Sequence, residues 1–292
     1  MSPIARVAAE VGSEDAVPDL KRRLRRFLWH FAARQVMLLF MLAFWIASKI
    51  GRKQVADPGP EREMVLTGRF DSNNWIQAFL QPLSQSPACS KVWLVSTNQV
   101  PPLPGIEAVY PPALLQKLAG ATAARLLTFY WTTFRKRPVL VGGIHIMVNG
   151  LLTVIAGKLF GARSLYFCVG GPAEVIGGGV FGLDNAIVNM ETPDDVVERR
   201  MLRLIGEADE IITMGGGAAR FFRERAVRSR IHIVAGGVDS SHYAPSPETP
   251  SPGKQRFDIV VTGRLARVKR VDVFLQTMNI VRRSIPEVKA VI

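Results

Sequence analysis

The apolar positions of this chain fall into two regimes. Near the N-terminus, Val36 to Ala47 is an unbroken run of twelve apolar residues, with Phe27, Leu28, Trp29 and Phe31 one to two turns upstream, which predicts a helix. After Pro58 and Pro60, short apolar runs alternate with stretches of helical period, the signature of successive βαβ units and a mainly parallel sheet. Strands are predicted over 64–66, 92–95, 138–141, 164–169, 210–213 and 231–234, and helices over 74–83, 146–160, 194–207 and 216–225. Thr192 and Pro193 are the expected N-cap and first-turn pair of the third of these helices.

The expected fold class is α/β. Residues 1–60 form a basic, apolar segment, and 61–244 a doubly wound, Rossmann-like domain. Residues 245–256, with Pro245, Pro247, Pro250, Pro252 and Gly253 among Ser and Thr, read as an extended linker. A strand at 258–261, a helix at 271–283 and a strand beginning at 288 then give the first β-α-β of a second Rossmann-like domain over 257–292. So few strands do not close a core, and the second domain is expected to be incomplete. Residues 125–137 combine Leu126, Leu127, Phe129, Tyr130, Trp131 and Phe134 with Arg135, Lys136 and Arg137. They read either as a core-packed helix with a solvated basic end or as a second membrane-facing helix.

Composition sharpens this picture at the N-terminus. The 292 residues, 48% apolar and 21% charged, suit a globular chain of about two domains. The net charge of +13 is not spread evenly: residues 20–53 hold nine basic residues and no acidic one, leaving 28 basic against 24 acidic elsewhere. That remainder is too balanced for a phosphate-tracking surface, so a nucleic-acid partner is not expected. The twelve-residue run would rise only about 18 Å as a helix, against a hydrocarbon core of about 30 Å. Lengthening it brings His30, Arg34 and Gln35 into the bilayer, which is costly. An in-plane anchor on anionic lipid is therefore expected through residues 20–53, with Trp29 and Trp45 at the interface. A tilted transmembrane helix and a soluble core helix are the alternatives. The basic cluster begins too late for a signal peptide, which places the globular part on the cytoplasmic face of the membrane. Cys89 and Cys168, far apart and without CxxC spacing, are expected as buried free thiols, and no metal-ligand cluster is present.

The stretch 260–269, V-V-T-G-R-L-A-R-V-K, ends a strand in Gly263, followed by Arg264 and Lys269. A glycine at the carboxyl end of a strand lets a phosphate approach the backbone, Arg grips a diphosphate bidentately, and Lys adds a point charge. A solvated basic loop is the plainer alternative. Gly177, Gly179 and Gly182 match G-x-G-x-x-G, but no strand is predicted to lead into them. A dinucleotide-binding oxidoreductase is thus a distant third reading.

The run V-V-T-G-R-L-A-R-V-K-R-V-D-V-F-L resembles the start of the C-terminal domain of the large family of retaining GT-B glycosyltransferases (family 4, glycosyl transferases group 1). There a G-R-L-x-x-x-K-G loop holds the donor diphosphate. A-D-E-I-I-T at 208–213, the helix at 216–225 and I-H-I-V-A-G-G-V-D-S-S-H-Y-A-P at 231–245 are similar to the end of that family's N-terminal domain. The resemblance implies a GT-B fold and transfer, with retention, from a nucleoside-diphosphate sugar to a glycan or glycolipid acceptor, lipid-linked or membrane-proximal, without a further cofactor. It implies Gly263, Arg264 and Lys269 as donor-diphosphate contacts, Gly68 and Arg69 on a cleft-facing loop, and Gly170 and Gly171 at the same sheet edge. It also implies His145 near the transferred sugar; a lone His is equally a structural residue. Three departures stand out: Arg270 replaces a glycine, Gly236 replaces the Asn of an N-G-V-D hinge, and an E-x7-E segment would lie beyond Ile292. The last leaves a second expectation open, a non-catalytic membrane- or partner-binding remnant.

Overall fold

The structure is a computed structural model that describes residues 19–54, 62–68, 70, 73–181, 190–237, 257–263 and 269–292. The chain divides after Val238 into two compact units. In the first, the described helices are α1 (Asp19–Ile50), α2 (Asn73–Ser84), α3 (Ala113–Lys136), α4 (Leu151–Phe160), α5 (Asp195–Ile205) and α6 (Gly216–Glu224). The strands are β1 (Glu63–Thr67), β2 (Lys91–Val95), β3 (Ile106–Val109), β4 (Leu140–Ile144), β5 (Arg163–Cys168), β6 (Glu210–Thr213) and β7 (Arg230–Ile233). They form one seven-stranded sheet in the order β3-β2-β1-β4-β5-β6-β7, with every pair parallel. The chain thus has an α/β, Rossmann-like first domain, and the order reverses direction between β1 and β4.

The sheet is wound unequally. On one face Val65, Trp93, Val95 and Val141 pack with Phe129 of α3 and Ala156 of α4. Further along that face Tyr166, Cys168 and Ile211 join Leu151 and Val154 of α4, Met201 of α5 and Phe222 of α6. On the other face Leu66, Val92, Leu94 and Ile144 pack with Ile76 and Leu80 of α2. Among the described residues α2 is the one helix on this face. The alternation of partners along each strand follows from the period of two in a pleated strand, so consecutive apolar residues feed two cores.

Helix α1 belongs to the fold as well as to its surface. Ala33 and Met37 are fully buried in the cluster with Leu151 and Val154 of α4, and Trp29, Phe40, Met41 and Phe44 pack against it. The 32-residue helix is much longer than its apolar run, about 48 Å at 1.5 Å per residue, and is long and apolar enough to cross a membrane. His30 and Arg34, which make bilayer insertion costly in the sequence, have protein partners: both reach Asp194 Oδ2, at 2.7 and 2.9 Å. Arg22, Arg25 and Arg26 gather on Glu191. The opposite side of α1 is bare, with Phe27, Phe31, Leu39, Leu42 and Trp45 exposed.

Three expectations need correction. The N-cap of α5 is Asp194, not Thr192: its Oδ1 accepts from the amides of Val196 and Val197 at 2.9 and 3.1 Å, and the helix starts at Asp195. A buried carboxylate that also holds His30 and the Arg34 guanidinium outcompetes a hydroxyl. The helix expected over 146–160 opens with a π turn, Ile146–Gly150, and is α-helical only from Leu151. Cys168 is buried but Cys89 only half-buried. Strand β3 and the first three turns of α3 had no clear period to announce them. In the segment at 125–137 Phe129 is buried in the core, as a core-packed helix requires, while Leu127, Trp131 and Phe134 stay exposed.

The second unit shows β8 (Ile259–Val260), α7 (Val271–Ser284) and β9 (Ala290–Val291), with β8 and β9 parallel. Within it Met278 of α7 is buried. Residues 245–256 lie outside the described residues.

Candidate functional site

In an open parallel sheet, ligands bind beyond the carboxyl ends of the strands where the strand order reverses. Here that place is the ends of β1 and β4, and the residues just past them are Gly68 and His145. A Cβ at Gly68 would meet the Ile144 side chain at 3.0 Å, so any larger residue would press the two strand ends apart by a few tenths of an ångström. His145 has φ 63°, the left-handed region that side chains rarely occupy. The chain turns there because Asn149, on the π turn, donates from Nδ2 to Ile144 O at 2.7 Å, and Gly150 N donates to His145 O at 2.9 Å. A Cβ at Gly143 would meet Asn149 backbone atoms at 2.6 Å, which explains the G-G pair of β4.

One carboxylate organises the next strand end. Glu174, 5% exposed, closes a 3₁₀ turn, Gly171–Glu174, after β5. Its Oε1 accepts from the Gly170 amide and faces His145 Nδ1 at 3.0 Å; its Oε2 accepts from Ile146 N at 2.8 Å and Tyr166 Oη at 2.7 Å. The carboxylate thus favours the His145 tautomer protonated at Nδ1, leaving Nε2 as the ring's acceptor. Burial first, and then the Glu174 charge, hold the Tyr166 hydroxyl well above its ordinary pKa, so it stays a neutral donor. Burial and Glu174 likewise push the neighbouring Cys168 thiol up to about 12, which leaves it no thiolate chemistry near neutral pH.

His145 opens on a polar cavity of about 520 Å³ that it shares with Thr97, Asn98, Gln116, Arg125 and Asn149. Arg125, 4% exposed, donates from Nη2 to Asn149 Oδ1 at 2.8 Å. The described lining of this cavity holds a guanidinium, an imidazole and several amides but no carboxylate. It suits an anionic or hydroxyl-rich ligand. Among the described residues no group of three or more His, Cys, Asp or Glu is placed to hold a metal ion.

The structure therefore brings Gly68, His145 and Gly170 together at one edge, with Gly171 (φ 67°) opening the turn that delivers Glu174. Arg69 and Arg264 lie outside the described residues. In the second unit, a Cβ at Gly263 would meet the Lys269 side chain at 3.6 Å, so the lysine stem runs beside that glycine. Arg270 has φ 49° and ψ 42°, the left-handed geometry a glycine would adopt freely, and its guanidinium pairs with Asp272 at 3.3 and 3.4 Å. Its side chain is thereby engaged locally. Gly177, Gly178 and Gly179 are all left-handed, and a Cβ at Gly178 would strike Val197 at 2.8 Å. They serve packing against α5; Gly182 is outside the described residues.

Glu174, Arg125 and Asn149 were not legible as site residues. A signal existed for the first: Glu174 is the one acidic residue between Glu107 and Asp184. A lone carboxylate in so apolar a stretch has to be paired.

Among solved structures, the chain is similar to the lipopolysaccharide outer core galactosyltransferase WaaB in its apo form, at 13% identity and a TM-score of 0.38, with 68% of this chain and 51% of that one covered. The chain spans about half the length of that structure. No protein-family profile and no curated protein matches it. At this identity the functional reading rests on the chain's own residues.

Proposed function

We propose that this chain is part of a retaining GT-B glycosyltransferase that moves a sugar from a nucleoside-diphosphate donor to a lipid-linked acceptor at the cytoplasmic face of a membrane. The observation that carries the reading is the His145–Glu174 pair at the switch point of the sheet, opening on a polar cavity lined by Gln116, Arg125 and Asn149. An imidazole fixed by a buried carboxylate presents Nε2 to a sugar hydroxyl without rotamer loss, which positions the acceptor or the transferred sugar. Charge develops on the departing diphosphate, and Gly263, Arg264 and Lys269 are assigned to it by the resemblance of their motif. A backbone approach at glycine with two cations is the chemistry that leaving group needs. Helix α1 and the exposed side of α3 supply the membrane contact, with cations at Lys49, Arg52, Arg135 and Lys136 for anionic headgroups.

The test is sugar transfer from a panel of labelled nucleoside-diphosphate sugars into extracted lipid. Lys269→Ala is expected to lower kcat about a hundredfold or more, as loss of one transition-state charge contact does. His145→Ala is expected to lower kcat/KM by about two orders of magnitude. Unchanged kinetics in both variants would remove these residues from the mechanism.

A further inference from the structure

Helices α1 and α3 leave a groove of about 900 Å³ between them, floored by Ile155 and Leu159 of α4. Its walls are small and aliphatic, and Ala43, Ala119 and Ala123 stand exposed along it. Beside it both helices expose large apolar residues, Leu42 and Trp45 on α1 and Leu118, Leu127 and Trp131 on α3. Water between such walls has few polar partners, so hydrocarbon fills the space better. The α1 wall runs from Val36 to Ile50, about 21 Å at 1.5 Å per residue. One leaflet is about half of a 30 Å hydrocarbon core, so an acyl chain fits along this wall.

The cations at the two ends of α1 are engaged differently. At the N-terminal end Arg22, Arg25 and Arg26 gather on Glu191, and Arg34 donates to Asp194. At the C-terminal end the lining of the groove includes Ile50, Leu159 and Tyr130. The Arg52 amide donates to Leu159 O at 3.2 Å, and its guanidinium lies 5.7 Å from the centre of the Phe134 ring, one turn beyond Tyr130. Arg135 lies over the Trp131 ring, also at 5.7 Å. Lys49, Arg52, Lys53 and Arg135 are all exposed, and among the described residues none of them is paired with a carboxylate. Positive charge without a protein counter-charge therefore stands at one end of the groove, where α1 and α3 both finish.

We propose that the groove holds one acyl chain of an anionic diacyl phospholipid drawn from the leaflet, with its phosphate on Arg52 and Arg135 and with Lys49 and Lys53 beside it. The proposal rests on the membrane contact of α1 and α3 and is independent of sugar transfer; this lipid is a resident of the fold and not the acceptor. Charge complementarity selects the head. Guanidiniums stacked on aromatic rings are held in place, and they grip phosphate oxygens bidentately. A zwitterionic choline head would bring its own cation into the basic cluster, whereas a head with net negative charge meets only attraction there. The gap between two helices takes one chain, and the second chain of the same lipid stays in the leaflet against Leu127 and Trp131.

Phosphatidylglycerol with a diazirine in one acyl chain tests the assignment, presented to the full chain in phosphatidylcholine vesicles without donor sugar, with flotation measured on the same samples. Photolabelling is expected in peptides covering 36–50 and 119–130. It should exceed about tenfold the labelling from phosphatidylcholine carrying the same chain, in vesicles of equal phosphatidylglycerol content. Ala43→Trp and Ala123→Trp, at exposed wall positions, fill the groove. Each should cut the labelling about tenfold while flotation and melting temperature stay unchanged. Joint replacement of Lys49, Arg52 and Arg135 by Gln should erase the preference for phosphatidylglycerol, and joint replacement of Arg22 and Arg25 by Gln should keep it. Flotation with labelling that neither Trp variant reduces overturns the groove and leaves the membrane contact standing; a wild-type chain that does not float removes the membrane contact itself. A preference lost with Arg22 and Arg25 but kept without Lys49, Arg52 and Arg135 overturns the placement of the head. Geranylgeranyl phosphate displacing the label better than unlabelled phosphatidylglycerol overturns the phospholipid in favour of a single-chain lipid, and adducts joining two copies through 36–50 assign the groove to a second copy.

Discussion

Glu174 and Asp194 each gather several donors, and each is the cheapest place to perturb the first unit. Glu174 accepts four hydrogen bonds, from Gly170, His145, Ile146 and Tyr166. A Gln has one acceptor oxygen and would point an NH₂ at donors, so Glu174→Gln leaves buried donors unmatched, each costing about 1–3 kcal/mol. Chemical denaturation should show a loss of about 2–4 kcal/mol, together with slower transfer as His145 loses its orienting partner. Asp194 caps α5 and holds α1 through His30 and Arg34. Burial pushes its carboxyl up, but His30, the Val197 amide and Arg34 outweigh burial and leave it below its ordinary value of 3.8. A carboxyl depressed by folding adds stability that is present above the unfolded value and is lost as pH falls through the folded one. Acid below about pH 4 should therefore loosen α1, whose docking through Asp194 is fully retained at neutral pH. Asp194→Ala should cost about 2 kcal/mol at pH 7, the loss of a cap and a part-buried ion pair, and should flatten the acid limb of a melting-temperature profile.

At the scale of elements, the π turn between β4 and α4 fixes where His145 points. Gly143 is its hidden determinant, because a Cβ there would collide with Asn149 backbone at 2.6 Å. Gly143→Ala should destabilise by about 1–3 kcal/mol, as overpacking does, and should displace His145. A variant with wild-type stability and transfer would show that the turn tolerates movement. The strands of the large sheet other than β3, and α5 and α6, were legible because period and apolar runs report burial directly. The caps, the π turn and the break at Gly120 were not, since they depend on contacts between residues distant in sequence, such as Asp194 with α1. The resemblance that named Lys269 and Gly263 also flagged Arg270 as out of place. Its left-handed backbone and its pairing with Asp272 give that departure a physical form.

For the whole molecule, α1 has a side buried in the core and a side left exposed, and it is the exposed side that we propose meets the membrane. The twelve-residue apolar run understated the helix by counting only uninterrupted residues, while His30 and Arg34 face protein partners. The two sides make separable predictions. Deleting 19–50 should uncover the Leu151 and Val154 core and yield an aggregating or partly unfolded first unit. Replacing Leu39, Leu42 and Trp45 together by Ser, all exposed, should leave the melting temperature within about 2 °C, as surface substitutions do. The same triple variant should stop co-flotation with anionic vesicles, and flotation equal to wild type would remove α1 from the membrane contact.

A role of the switch-point site in sugar transfer is tested by the movement of label from nucleoside-diphosphate sugars into organic-extractable lipid, wild type against His145→Ala. Saturable transfer from at least one donor is expected, with a fall of about a hundredfold in the variant at unchanged stability. Equal transfer by both proteins would contradict the role of His145, and absence of transfer from every donor by a protein that carries a whole donor-binding domain would contradict the proposed reaction.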